Sequence, residues 1–230
     1  MRIFTFPFGG GNRYSYNFLK QYLDIKKFEW INFEYPGRGK RIKEPFLFDI
    51  DDIVEDMFQQ VKNEILKVGS DYLIFGHSMG ALSGYLICHL IVRSGLPIPK
   101  GLIISGMTGP SFAKREKISH LPSNEFWAEI QTYGGLPREF TSQHGVRAFF
   151  EPVFRADLTA IESYKYRKQL PLNFSIDVFY GDKEKIDKEE VLGWEKESTN
   201  QVTINKLDGG HFFIYNHAKY IIDYIVEKYT

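Results

Sequence analysis

The stretch DYLIFGHSMGALSGYL, Asp71 to Leu86, constrains the fold of this chain more than any other. Tyr72–Phe75 is apolar enough for a strand buried on both faces, and the residues from Met79 onward read as a helix. Between them the chain must reverse within a few residues, through Gly76-His77-Ser78-Met79-Gly80. So tight a turn forces its apical residue into a strained backbone conformation. The residues two positions away on either side then have almost no room for a side chain. Gly76-x-Ser78-x-Gly80 meets that demand, and it raises the Ser78 hydroxyl above the sheet at a helix N-terminus.

The rest of the chain repeats the theme of short strand then helix. Strands are expected at Arg2–Phe6, Phe28–Tyr35, Asp71–Phe75, Gly101–Ser105, Ile176–Tyr180 and Val202–Leu207. Helices are expected at Tyr14–Asp24, Ile50–Val68, Met79–Ser94, Lys188–Glu197 and Ala218–Tyr229. The strands are dense in Ile, Phe and Val and do not alternate with polar residues, as in parallel sheets covered on both faces. The expected fold class is therefore α/β, a doubly wound and mostly parallel sheet. With 230 residues, 43 % of them hydrophobic, the chain can bury a full core. The alternation breaks between Met107 and Leu170, where the sequence turns helical and aromatic. One helix should open at Ser123 under a serine cap and stop at Gly134-Gly135. Another should run from about Ser142 to Lys168, bent near Pro152. This segment reads as an insertion, a lid over the carboxyl edge of the sheet.

A serine hydroxyl needs a base to become a nucleophile. Of six histidines, His211 lies just past the last expected strand, in Leu207-Asp208-Gly209-Gly210-His211-Phe212. That is where this topology places a general base. His77, His89, His120, His144 and His217 read as core or surface residues, with His77 pointing away from Ser78. The acid that orients the base should follow the strand ending at Tyr180. Glu184, three residues beyond Gly181, is the preferred candidate. Asp182 is the alternative, with a second possible role in bonding turn amides, and Asp187 is the third. Phe6-Pro7-Phe8-Gly9-Gly10-Gly11 closes the first strand, and its glycines let backbone amides approach a ligand. Together with the Met79 N–H, the Phe8 N–H is expected to face a developing oxyanion, with Gly9 as second choice. A phosphate loop is disfavoured, because no Lys-Ser/Thr follows the glycines.

The remaining composition narrows the chemistry. Lys+Arg and Asp+Glu number 29 each, so no net field attracts nucleic acid or an anionic membrane. Cys88 stands alone among apolar neighbours and reads as a buried structural thiol. No two histidines have metal-ligand spacing, so neither a metal nor a cofactor is expected. No apolar run is long enough to span a bilayer, and the N-terminus lacks a signal-peptide pattern. A soluble, cytoplasmic monomer is expected.

The motifs together resemble those of the type II thioesterases of the α/β-hydrolase fold, stand-alone enzymes that accompany nonribosomal peptide and polyketide synthases. The resemblance covers nearly the whole chain. Besides the segments at Phe6, Gly76 and Asp208, it rests on Tyr35-Pro36-Gly37-Arg38-Gly39, Ser119-His120-Leu121-Pro122, Gly134-Gly135-Leu136-Pro137 and Phe154-Arg155-Ala156-Asp157. It implies a hydrolase core at residues 1–106 and 171–230, with the lid at 107–170. It also implies hydrolysis of acyl or aminoacyl thioesters from the phosphopantetheine arm of acyl- or peptidyl-carrier proteins, which edits stalled or mis-primed synthases. Ser78 would be the nucleophile and His211 the base. Glu184 would stand where the family usually has aspartate, a departure at the acid. Phe126, Trp127, Phe149, Phe150 and Phe154 are candidates for an acyl-pocket wall, although several should simply pack the lid. Arg155 and Asp157 are expected to pair with other lid groups. Arg38 would either hold the first loop or meet phosphate. Competing readings are a small-molecule carboxylesterase or lipase, an acyltransferase, and a non-catalytic binding protein on a hydrolase scaffold.

Overall fold

A computed structural model describes residues 1–24, 26–113, 117–136 and 143–230. Six parallel strands form one sheet in the order β2-β1-β3-β4-β5-β6. They are β1 (Arg2–Phe6), β2 (Glu29–Asn32), β3 (Tyr72–His77), β4 (Gly101–Ser105), β5 (Ser175–Gly181) and β6 (Val202–Leu207). The helices are α1 (Asn17–Lys20), α2 (Ile50–Val68), α3 (Met79–Arg93), α4 (Ser123–Thr132), α5 (His144–Ser163), α6 (Lys188–Leu192) and α7 (Ala218–Tyr229). No helix among the described residues is long and apolar enough to cross a membrane.

Successive strand residues feed two apolar clusters, one on each face. Tyr72 and Ile74 of β3 join the cluster with α2, α3 and α5, while Leu73 and Phe75 join the one with α1 and α7. Both faces are covered, so the strands need no polar alternation. Cys88 lies in the first cluster with no exposed surface, and burial pushes its thiol pKa up. Iodoacetamide should therefore alkylate Cys88 at least about 100-fold more slowly in the native protein than in denaturant, as read by mass spectrometry.

Local competition trims several expected elements. The first helix shrinks from Tyr14–Asp24 to Asn17–Lys20. Upstream, the Asn12 and Ser15 side chains take backbone amides into a turn, and the Asp24 carboxylate accepts from the Lys26 N–H. β2 stops at Asn32; the Phe33 N–H still donates to the Thr5 carbonyl of β1 at 3.0 Å, and the Phe33 and Tyr35 side chains are buried in the core. The expected Lys188–Glu197 helix changes to a 3₁₀ turn at Gly193, which packs against Gly109 and Phe112. The expected serine cap is corrected. Pro122 occupies the N-cap of α4, and Ser123 is its first helical residue, with its hydroxyl donated to Glu151 at 2.6 Å. α5 runs through Pro152 to Ser163, and the chain is extended from Tyr164. Ser142, the expected start of that helix, and Pro137 of the family motif lie outside the described residues.

One charged residue inside β5 gave no sequence signal. Asp177 is fully buried and accepts from Tyr224 Oη (2.7 Å), Lys228 Nζ (2.5 Å) and Tyr229 Oη (2.6 Å), all on α7. A buried carboxylate with partners on both oxygens pins the last helix to the sheet. Asp177→Ala strands those three donors and should cost about 3 kcal/mol in a denaturant titration. A loss below about 1 kcal/mol would deny the cluster that role.

Candidate active site

β3 ends at His77, and Ser78 occupies the N-cap of α3 with φ 54° and ψ −117°. It is the only non-glycine residue with positive φ among the described residues. Such a conformation costs roughly 1–3 kcal/mol and persists only where the surroundings impose it. The flanking glycines account for it. A Cβ on Gly76 would lie 2.1 Å from the Gly80 carbonyl oxygen, and one on Gly80 would lie 2.0 Å from that of Phe6. No larger residue fits either position. The Ser78 N–H donates to the Ser105 carbonyl at 2.8 Å, which fixes the turn across to β4.

His211 lies on the turn after β6, and its Nδ1 is 2.7 Å from Glu184 Oε2. The other carboxylate oxygen, Oε1, accepts from the Gly181 N–H at 2.8 Å. An ionised carboxylate only accepts, so Nδ1 carries the proton and Nε2 is left to exchange one. The Glu184 side chain is 3 % exposed and that of His211 12 %. Of the three candidate acids, the structure brings Glu184 to the ring. Asp182 instead accepts from the Gly209 N–H at 2.9 Å, and Asp187 caps α6 in a reciprocal capping box with Glu190. Asp182 thereby ties the turn after β5 to the loop that bears His211.

His77, expected to be incidental, packs its ring 4.7 Å from that of His211, and its Nδ1 lies 3.0 Å from Ser105 Oγ. His89 is buried on α3, where desolvation pushes its pKa down to about 4. His217 donates through Nε2 to the Asp208 carbonyl.

The loop after β1 is tethered almost throughout. Tyr16 Oη donates to the Phe6 carbonyl (2.8 Å) and Tyr35 Oη to that of Pro7 (2.9 Å). The Gly11 N–H donates to the Phe8 carbonyl (2.8 Å), and the Gly10 N–H to Asp157 Oδ2 (2.7 Å). Among the described residues, the Phe8 and Gly9 N–H groups have no protein acceptor. Met79 is the first residue of α3, and its N–H has no intrahelical partner either.

Phe8, Gly9, Ser78 and His211 line one cavity of about 100 Å³. Its other walls come from Ile130, Tyr133 and Leu136 at the end of α4, and from Phe154, Leu158 and Ile161 on α5. Among the described residues that line it there is no Asp, Glu, Lys or Arg. Of the five lid aromatics considered for this wall, only Phe154 lines it. Phe126 and Trp127 are wholly buried in the core, Phe150 packs against that core, and Phe149 is 62 % exposed.

Arg155 pairs within its own segment, with Glu151 and the Ser119 carbonyl. Asp157 does not. It crosses to Arg38, whose Nη1 lies 2.6 Å from Oδ2 and whose Nη2 lies 2.5 Å from Oδ1. Both residues are buried, so the expected pairing of Asp157 inside the lid is corrected.

The chain is similar to known proteins along nearly its whole length. The family model for the thioesterase domain matches residues 1–229. The chain is 24 % identical to the gramicidin S biosynthesis protein GrsT of Aneurinibacillus migulanus, over 99 % of this chain and 88 % of that protein. It is 28 % identical to the probable anguibactin biosynthesis thioesterase AngT of Vibrio anguillarum, over 95 % of this chain and 88 % of that one. Among solved structures, the RedJ thioesterase of the prodiginine pathway in Streptomyces coelicolor superposes with a TM-score of 0.90 at 27 % identity. That match covers 98 % of this chain and 89 % of RedJ. ClbQ of the colibactin NRPS/PKS pathway superposes with a TM-score of 0.89 at 28 % identity, over 98 % and 95 % of the two chains.

Proposed function

This chain belongs to the thioesterase domain family, and from that premise we propose that it clears acyl or aminoacyl groups from the phosphopantetheine arms of carrier proteins, which frees stalled or mis-primed synthases. The enzyme is a thioester hydrolase of the α/β-hydrolase fold. The observation that carries the site assignment is a single cavity lined by both Ser78 and His211, with Glu184 bonded behind the ring.

In this reading Ser78 Oγ attacks the thioester carbonyl carbon while His211 Nε2 takes its proton. Glu184 holds the ring through Nδ1 and stabilises the imidazolium. The negative oxygen of the tetrahedral intermediate meets the Met79 and Phe8 N–H groups, with Gly9 as the alternative donor. Each such donor is worth about 10²–10³ in rate. As the carbon–sulfur bond breaks, His211 returns the proton to the departing pantetheine thiol. Water then attacks the acyl-serine, again giving its proton to His211, and the free acid leaves with Ser78 restored. Residues 107–170 act as the lid, in which α4 and α5 wall the acyl group. The described lining, mostly apolar, suits a neutral acyl chain. The relatives are named for the biosynthesis of gramicidin S and anguibactin, and this supports a carrier protein as partner. The reading includes a monomer, which sedimentation tests.

The direct test is mass spectrometry of a panel of acylated carrier proteins treated with the wild type and with Ser78→Ala. The wild type should return free pantetheine thiol and the variant should not. Hydrolysis of a nitrophenyl ester about tenfold more efficient than that of every carrier-bound thioester would transfer the reading to a small-molecule esterase.

A further inference from the structure

We infer that Asp157 on α5, locked to Arg38, is a positioning residue for the second oxyanion donor, so that the lid helix also clamps the catalytic loop. This rests on the reading above, in which the loop after β1 supplies that donor.

The clamp is built from buried groups far apart in sequence. Arg38 and Asp157 are separated by 119 residues, with side chains 7 % and 1 % exposed. Both carboxylate oxygens accept from the guanidinium, and Oδ2 also accepts from the Gly10 N–H. Arg38 Nη1 reaches the Gly11 carbonyl at 3.3 Å as well. The pair therefore grips two adjacent residues of the loop, Gly10 through its N–H and Gly11 through its C=O.

Packing on α5 follows the same line. A Cβ on Gly9 would touch Asp157 and Ile161, while one on Gly10 would lie 2.1 Å from the Phe154 ring. Phe154, Asp157 and Ile161 fall at helical spacing, so one face of α5 lies against the loop. The Gly10 amide points at Asp157 and the Gly11 amide at the Phe8 carbonyl, which leaves the Phe8 and Gly9 amides for a ligand.

A bond to Gly10 controls where Phe8 and Gly9 sit, and donor placement matters far more to an oxyanion than to a neutral carbonyl. A buried ion pair is also a poor source of stability compared with well-packed apolar residues. Its geometric role is the better account of its presence here.

The test uses Asp157→Asn and the double variant Arg38→Met/Asp157→Leu. The first keeps an acceptor oxygen near Gly10 but leaves Arg38 uncompensated. The second removes both charges, so that a folded protein without the clamp can be measured even if the first is unstable. Thermal melts establish which variants are folded at the assay temperature. With the acetyl thioester of N-acetylcysteamine, kcat should fall about tenfold or more, while KM stays within about threefold. Affinity for the matching trifluoromethyl ketone, which forms an oxyanion on Ser78, should fall in parallel. Affinity for the unreactive amide analogue should not change. A folded variant with kcat within about twofold of wild type would overturn the inference, as would equal weakening of both inhibitors. Wild-type turnover that is lost in Ser78→Ala serves as the control. Its absence would instead overturn the functional reading.

Discussion

Ser78→Ala should lower turnover of an acylated carrier protein by about 10⁵–10⁶-fold and leave the thermal midpoint within about 2 °C of wild type. The size of the loss follows from the chemistry. Without the hydroxyl no acyl-enzyme forms, and the remaining groups can only assist direct attack by water. That residual assistance is about 10³-fold over the uncatalysed reaction, since the oxyanion donors and the binding pocket survive. The small effect on stability follows from the turn. Alanine carries the same Cβ at φ 54° as serine, and the strain is held by close contacts of Gly76 and Gly80 that the substitution does not touch. Single-turnover mass spectrometry reads both species, carrier thiol and acyl-enzyme. More than about 1 % of wild-type turnover in the variant would assign the nucleophile elsewhere.

The second large effect is expected at Glu184. Its oxygens serve Gly181 N–H and His211 Nδ1, and both partners donate. Glutamine offers one acceptor oxygen and one donor amide, so Glu184→Gln leaves one contact with donor facing donor. Either the Gly181 anchor fails or the imidazole adopts the tautomer that protonates Nε2, which cannot take the serine proton. kcat should fall about 10³–10⁴-fold, with KM little changed. Asp182→Asn is the matched control. Its oxygen can still accept from Gly209 N–H, so kcat should stay within about threefold. A strong loss in Asp182→Asn with near-normal Glu184→Gln would reverse the two assignments.

The residues that could be read from sequence are those whose role is local. β1, β4 and β6 have their predicted bounds, β1 and β4 because a strand covered on both faces declares itself in a few consecutive residues. The turn at Ser78 was legible for the same reason, since its glycines answer contacts within two positions of the serine. The first helix was overread because apolar spacing over Tyr14–Asp24 says nothing of the Asn12, Ser15 and Asp24 side chains that capture backbone amides. The aromatics of the helical segment were legible as apolar but not as wall or core. Phe149 and Phe150 are chain neighbours, yet only Phe150 packs against the core.

What the sequence determined alone was the parallel α/β order and a serine, an acid and a histidine placed after three of the strands, because each is written in a short run of neighbouring residues. What only the tertiary structure decided was which partners meet across the chain. Glu184 rather than Asp182 reaches His211, Asp157 grips Arg38 and the Gly10 loop, and Asp177 anchors α7. Such meetings turn on differences of an ångström or two in how loops and helices settle on a dense core, and a pattern of residue types does not encode distances of that size.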